Sequence, residues 1–316
     1  MTRLGGGRLP SPDVGPERMK SPLEQHKVRF ALAMILPIFA LYAVLRIYPI
    51  VQAFYLSLTD YQIGIRKYSF VGLANYIDLL SNLDFLVSLK NSLSFAALTL
   101  VFTLFIALMI ALVMSRAAIR GIGLLQTLIF LPVVVSVVPS AIIWNWIYDP
   151  QYGILNYLLS LVGASPMNWL FNKSTALYAV IAFTVWRWIG YYMIIFWVGI
   201  RAIPETYLEA ARIDGASAWT SVRAIVLPLL RPIVLLATVL ATINGFTIFT
   251  EVYVMTTGSQ SAPGNTLSVL TFDIYQRGLV FYKVGEANAE AIYLFLILIG
   301  FTLAQFAMNR RKQDLY

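Results

Sequence analysis

Six long apolar runs constrain this chain more than any other feature of it. A helix rises about 1.5 Å per residue and the hydrocarbon core of a bilayer is about 30 Å thick, so about 20 mostly apolar residues make one crossing. The runs are about Phe30–Phe54, Ser92–Met114, Leu124–Tyr148, Thr175–Ile200, Ile233–Met255 and Ala289–Met308. Only 12% of the 316 residues are charged, and the mean hydropathy is +0.75; a soluble domain carries about 25% charged residues. The expected fold class is an all-α polytopic membrane protein with six transmembrane helices, since backbone polar groups inside lipid need internal partners. Pro37, Pro49, Pro132 and Pro139 fall inside the first and third runs and are expected to kink them.

The polar segments give organisation and orientation. Residues 1–28 are rich in Gly, Pro and charge and read as a disordered cytoplasmic tail. The run that follows is too long for the apolar core of a cleaved signal, about 7–15 residues, so it reads as a retained span. Residues 29–309 then form one membrane domain, and residues 310–316 a cytoplasmic C-terminal tail. With the N-terminus inside, 15 Lys and Arg lie on the inner side and 6 on the outer side, with Arg46 and Arg187 within spans. This asymmetry puts both termini in the cytoplasm. The net charge of +8 is read as that orientation signal, with no nucleic-acid partner. Among the outer loops, residues 58–90 have the composition of a short interfacial helix.

Several chemistries are excluded. There is no cysteine, hence no disulfide or thiolate, and the single histidine, His26, lies in the tail. No His-based metal cluster and no Ser–His or Cys–His nucleophile can be assembled, no catalytic constellation is visible, and no metal site is expected. There is no GxxxxGK[ST] phosphate loop, and no Gly is followed by Lys anywhere.

The most informative polar stretch is Glu209–Pro228, between the fourth and fifth spans and therefore cytoplasmic. Pro204 suits a first helical turn. Tyr207, Leu208 and Ala211 share one face of the helix that follows. Gly215 permits the conformation that ends it, and Ser217 is placed to N-cap a second helix. There Trp219, Val222, Ile225, Val226 and Leu229 form an apolar stripe, before Pro228 and Pro232 mark the return to the membrane. Two short helices joined at Gly215 are expected. Periodicity alone leaves open whether they lie on lipid or dock in a groove of a partner.

Glu209, Ala210 and Ala211 are followed after three residues by Gly215, and after nine more by Ile225, then Leu227 and Pro228. This spacing resembles the EAA loop of ABC importer permeases. Ala202-Ile203-Pro204-Glu205 with Tyr207, and Ile213-Asp214-Gly215-Ala216, are similar to the MalF-like permeases for sugars and glycerol phosphates. So are Tyr48-Pro49-Ile50, Ser57-Leu58-Thr59-Asp60, Phe70-Val71-Gly72-Leu73 with Asn75-Tyr76, and Asn91. The resemblance covers about residues 30–309. It implies a type I ABC importer permease fold with a coupling loop at 201–232, in the bacterial inner membrane. Glu209, Ala210, Ala211, Asp214, Gly215, Ala216, Ile225, Leu227 and Pro228 would couple to the ATPase. The partners it implies are a second, MalG-like permease, two ATPase subunits that bind ATP and Mg, and an extracytoplasmic binding protein. No cofactor is expected in this chain. Two departures are Thr257-Gly258-Ser259-Gln260, where the family carries Gly-Gly-Pro, and Glu290, where small residues are usual.

Polar residues inside spans mark a candidate substrate path. These are Arg187, Trp188, Tyr191, Asn244, Phe246, Thr247, Glu251 and Tyr253. Arg187 reads either as a substrate contact or as a structural ion pair, with Glu251 as the partner. Trp144, Trp146 and Tyr148 read as an interfacial aromatic belt. The function expected is an ATP-driven importer subunit for a sugar or polyol. The alternatives are a permease for glycerol phosphate or peptide, and an ion-gradient carrier using Arg187, Glu251 and Glu290 as a relay.

Overall fold

The computed structural model describes residues 22–116, 121–257 and 267–313. Among the described residues the chain is helical apart from its connecting loops and one isolated bridge, Thr59 with Phe70. The helices are α1 Pro22–Tyr42, α2 Tyr48–Ser57, α3 Ala74–Ser81, α4 Leu83–Arg116, α5 Ile122–Val134, α6 Val137–Ile147, α7 Ile154–Leu161 and α8 Ala176–Arg201. They continue as α9 Glu205–Ile213, α10 Ala218–Ser221, α11 Leu227–Leu229, α12 Arg231–Phe246, α13 Thr250–Thr257, α14 Leu270–Tyr275 and α15 Val284–Gln313. Five helical stretches are long and apolar enough to cross a membrane, and α5 with α6 make a sixth, broken one. Contacts divide the chain into two units, Met1–Gln52 and Ala53–Tyr316.

In the first unit, helix begins at Pro22, ahead of the boundary at residue 29 expected from composition. The fixed φ of proline suits a first turn, so the polar end of the segment is helical too. The apolar side chains from Phe30 to Val51 stay largely exposed. A π turn, Ala43–Ile47, precedes Pro49, and the Tyr48 N–H bonds to the Ala43 carbonyl five residues back. Proline has no N–H and its ring crowds the carbonyl four residues earlier, so a wider turn absorbs the misfit.

The second unit is built on α8, which packs against α4, α5 and α12. Ala237, Ala241 and Gly245 recur every fourth residue on α12, all buried, and Gly245 lies against Ala96 of α4. Small residues let backbones approach closely in a membrane, where apolar burial alone gives helices little reason to associate. On α8, Gly190 serves the same purpose: an added Cβ would run into the Ile129 carbonyl of α5.

Beyond the earlier start of the first, four spans depart from the expected ranges: the second, expected from Ser92, begins at Leu83 as α4. The third, expected as one helix over Leu124–Tyr148, breaks between α5 and α6 with a turn of 97°. The fifth is interrupted between Phe246 and Thr250. The sixth begins at Val284 and not Ala289, because Glu286 and Glu290, which shorten the apolar run in sequence, are taken up by Arg277.

Arg277 is buried and joins three segments of the second unit. Its Nη2 lies 3.1 Å from both Asp273 Oδ2 and Asn82 Oδ1, and its Nη1 lies 3.2 Å from Glu286 Oε2. Glu290, fully buried, places Oε2 3.1 Å from Arg277 Nε. That N–H is directed at Asp273, so the Glu290 contact is an ion pair without an aligned hydrogen bond. Burial pushes the Asp273 carboxyl above the ordinary carboxylate range, against the pull of Arg277. Arg277→Met leaves Asp273 and Glu290 without their cation, while Glu286 keeps Lys283, and is expected to lower stability by roughly 3–5 kcal/mol in thermal melts of the solubilised protein. Glu290→Gln should cost far less, since it relieves the excess of negative charge.

Candidate functional site

The expected pair of short helices at the basic end of the second unit is present as α9 and α10. The turn between them is a Schellman motif. The Ala216 N–H donates to the Ala211 carbonyl at 2.9 Å and the Gly215 N–H to the Arg212 carbonyl at 3.1 Å. Gly215 has φ +76°, with open space where a Cβ would stand, so the glycine is required by backbone conformation and not by crowding. Ser217 then caps α10, its Oγ accepting from the Thr220 N–H at 3.1 Å.

This hairpin has two faces. Ala211, Val222 and Val226 are buried and anchor it, and Leu208 is half-buried. Glu209, Ala210, Asp214 and Gly215 are exposed at the tip, and Ala216 is half-buried. Ile213, which sequence reasoning did not select, is 86% exposed there. An isoleucine left in water beside a left-handed glycine was the signal available for it. Ile225, Leu227 and Pro228 lie half-buried in the return leg.

Tyr207 is exposed, so the first face consists of Leu208 and Ala211 only. The stripe of the second helix is also broken: Val222 and Val226 are buried, but Trp219 and Leu229 are exposed. Residues 222–226 form a π turn, with the Leu227 N–H bonded to the Val222 carbonyl, directly before Pro228. That turn rotates the later residues away from the 3.6-residue period.

The candidate path residues are only partly brought together. Trp188 and Asn244 line a crevice with Thr99, Thr103, Thr184 and Tyr192, where Asn244 Nδ2 donates to the Tyr192 hydroxyl at 3.1 Å. The crevice holds about 20 Å³, room for about one water and not for a sugar. Tyr191 is half-buried with its ring edge-on to Trp188 and Tyr192. Phe246 is buried against Phe301, away from the crevice, and Thr247 is exposed with its hydroxyl on the Ile243 carbonyl. Tyr253 stacks on Phe249 beside Tyr275, and Glu251 is half-buried on α13. In the expected aromatic belt, Trp146 is exposed, but Tyr148 is buried with its hydroxyl on the Ala179 carbonyl at 2.8 Å.

Arg187 corrects the ion-pair expectation. No Arg187–Glu251 ion pair forms among the described residues; Arg187 Nη1 instead donates to the Pro132 carbonyl at 3.1 Å and the Val135 carbonyl at 2.8 Å. These carbonyls lie at the end of α5, where the helix stops and cannot satisfy them. The guanidinium closes the break. Among the described residues, Arg187 and Glu290 belong to separate hydrogen-bond and ion-pair sets. The Thr257–Gln260 departure lies at the edge of the described residues and beyond it.

The chain belongs to the family of binding-protein-dependent transport system inner membrane components, whose model matches residues 103–314. It is 31% identical to the trehalose/maltose transport system permease protein MalF of Thermococcus litoralis, over 94% of this chain and 99% of that one. It is 30% identical to the sn-glycerol-3-phosphate transport system permease protein UgpA of Yersinia pestis, over 88% of this chain and 93% of that one. Its fold matches a crystal structure of a bacterial ABC transporter involved in the import of the acidic polysaccharide alginate. That match has TM-score 0.81 and 23% identity and covers 92% of this chain and 98% of the other. The chain is thus an all-helical, multi-pass membrane protein with the fold of an ABC importer permease.

Arg187→Met is expected to lower stability by roughly 1–3 kcal/mol, since it orphans carbonyls at the break, and Arg187→Lys, still able to reach one of them, by less. Thermal melting of the solubilised variants ranks them; equal losses would mean that the hydrogen bonds do not hold the break.

Proposed function

We propose that this chain is the membrane-spanning subunit of an ATP-driven importer for a sugar, oligosaccharide or related polyol in the bacterial inner membrane. Hydrolysis of ATP, with its Mg, belongs to two separate ATPase subunits. A second permease completes the pathway, and an extracytoplasmic binding protein delivers the cargo. The observation that carries the reading is the hairpin tip: Glu209, Ala210, Ile213, Asp214 and Gly215 face outward, while Ala211, Val222 and Val226 hold the hairpin to the spans. An exposed apolar knob beside a carboxylate, on a rigidly capped turn, has the chemistry of a helix that docks in a partner's groove. The loop follows directly from α8, so a displacement of the tip reaches the core helix of the second unit. ATP-driven closure of the ATPase pair would bias the spans between their two states through differential binding to the tip.

The cargo reading is supported by relatives named for trehalose/maltose and for arabinooligosaccharides, the latter 29% identical. A phosphate ester is the second reading, favoured by the relative named for sn-glycerol-3-phosphate. The one-water crevice is consistent with a path completed by a second permease or opened in another state.

Gly215→Pro forces φ to about −65° where the turn needs a positive value, and removes the N–H that caps α9. This variant and Glu209→Ala should reach the membrane at normal levels yet retain at least roughly tenfold less co-purified ATPase and uptake. Wild-type protein purified without any ATPase, or uptake that survives ATP depletion while a proton gradient is kept, would contradict the reading.

A further inference from the structure

The inner face of the hairpin encloses a second feature. A cavity of about 680 Å³ lies between α9, the return leg and the basic ends of α4 and α8. Its apolar wall is Leu112, Ile200, Leu208, Val222 and Val226. Arg201 and Arg212 line it as well, with Glu205 as the one carboxylate. Glu205, Leu208 and Arg212 share one face of α9, while Glu209, Ala210, Asp214 and Gly215 do not line the cavity. Half-buried Ala216 lines the cavity too, so the cavity lies directly behind the tip and shares that one residue with it.

Its electrostatics are unbalanced. Among the described residues neither Arg201 nor Arg212 forms an ion pair, and Arg201 lies over the Trp197 ring at 5.2 Å. Ser115 and Arg201, at the ends of two spans, place the cavity at the level where a membrane-crossing helix meets headgroups. A volume of this size takes a headgroup and the start of its acyl chains. A greasy wall beside an excess of arginine, on the side the charge asymmetry assigns to the cytoplasm, complements a single class of molecule: an amphiphile with an anionic head.

We propose that this cavity is a binding site for an anionic phospholipid of the inner leaflet, its headgroup phosphate held by Arg201 and Arg212 and its acyl chains against Leu208, Val222 and Val226. A lipid seated there fills the space beneath the coupling hairpin and stiffens its link to α8. Transport would then depend on the membrane's content of anionic lipid. The site requires only the membrane embedding and stands whether or not the tip docks an ATPase.

The test uses the full chain with its co-purifying subunits in phosphatidylcholine nanodiscs carrying a photoactivatable phosphatidylglycerol. Crosslinked peptides are mapped by mass spectrometry. Label is expected on peptides containing Leu112–Ser115 and Ile200–Val226, with little from a phosphatidylcholine analogue. Arg201→Gln with Arg212→Gln should weaken this labelling roughly tenfold or more, given the contribution of each basic side chain near an anionic surface. Leu208→Trp, which fills the apolar wall and leaves both arginines in place, should also reduce it and serves if the double variant misfolds. Equal labelling by the neutral analogue, undiminished labelling in both variants, or displacement by millimolar inorganic phosphate (a site for a small soluble anion) would overturn the proposal. Reconstituted protein whose ATPase ignores lipid charge, but which labels as expected, would still establish the site and would bear only on its effect.

Discussion

Inside a bilayer an unbonded carbonyl has no water to turn to, and this constraint governs the places where the helices of this chain are interrupted. Each interruption described above has a partner. The break between α5 and α6 is closed by Arg187 on the Pro132 and Val135 carbonyls. Within the fifth span, the Ile248 carbonyl accepts from the Thr271 hydroxyl. Before Pro49 and Pro228 the helix widens to a π turn and keeps its hydrogen bonds at longer spacing. At Gly215, outside the membrane, a Schellman turn completes the end of α9.

These satisfied interruptions position the parts that the family reading concerns. Gly190 brings α5 into contact with α8, and Arg187, three residues earlier on the same helix, secures the bend that follows. The same helix ends at Arg201, from which the hairpin of α9 and α10 departs. One helix thus runs from the bent third span to the short connection that leads into the exposed tip. At the opposite end Arg277 gathers Asn82, Asp273, Glu286 and Glu290, and so joins the loop before α4 to α14 and α15. The second unit is clasped at one end by the charges around Arg277 and at the other by apolar packing of Val226 and Leu230.

Much of this was legible in the sequence. Length and apolarity sufficed for the spans, because crossing a bilayer leaves few alternatives. Gly215 and Ser217 were readable because their roles are local: a positive φ and a cap need no tertiary context. What was not legible depended on partners distant in sequence. Arg187 read as an ion-pair partner of Glu251 because sequence shows charge and depth, but not two carbonyls more than fifty residues earlier. In the stripe after Ser217, Leu229 falls out of phase because the π turn at 222–226 resets the period, and nothing in the structure explains the exposure of Trp219 ahead of it. Phe246 and Tyr253 read as pore residues from composition, and the rings of Phe301 and Phe249 occupy them. The cavity behind the hairpin was not legible, since it is made by the meeting of four elements, α4, α8, α9 and the return leg.

The central claim is that the tip around Gly215 is the surface another protein grips. The chain contains no cysteine, so a single one can be introduced without background. Ile213→Cys places it on the most exposed apolar residue of the tip. In inside-out membrane vesicles holding the assembled transporter, the account predicts that this thiol is shielded from a membrane-impermeant maleimide. It also predicts that a short bifunctional reagent joins the thiol to an ATPase subunit. A thiol that stays fully reactive there, and forms no such adduct, would contradict it.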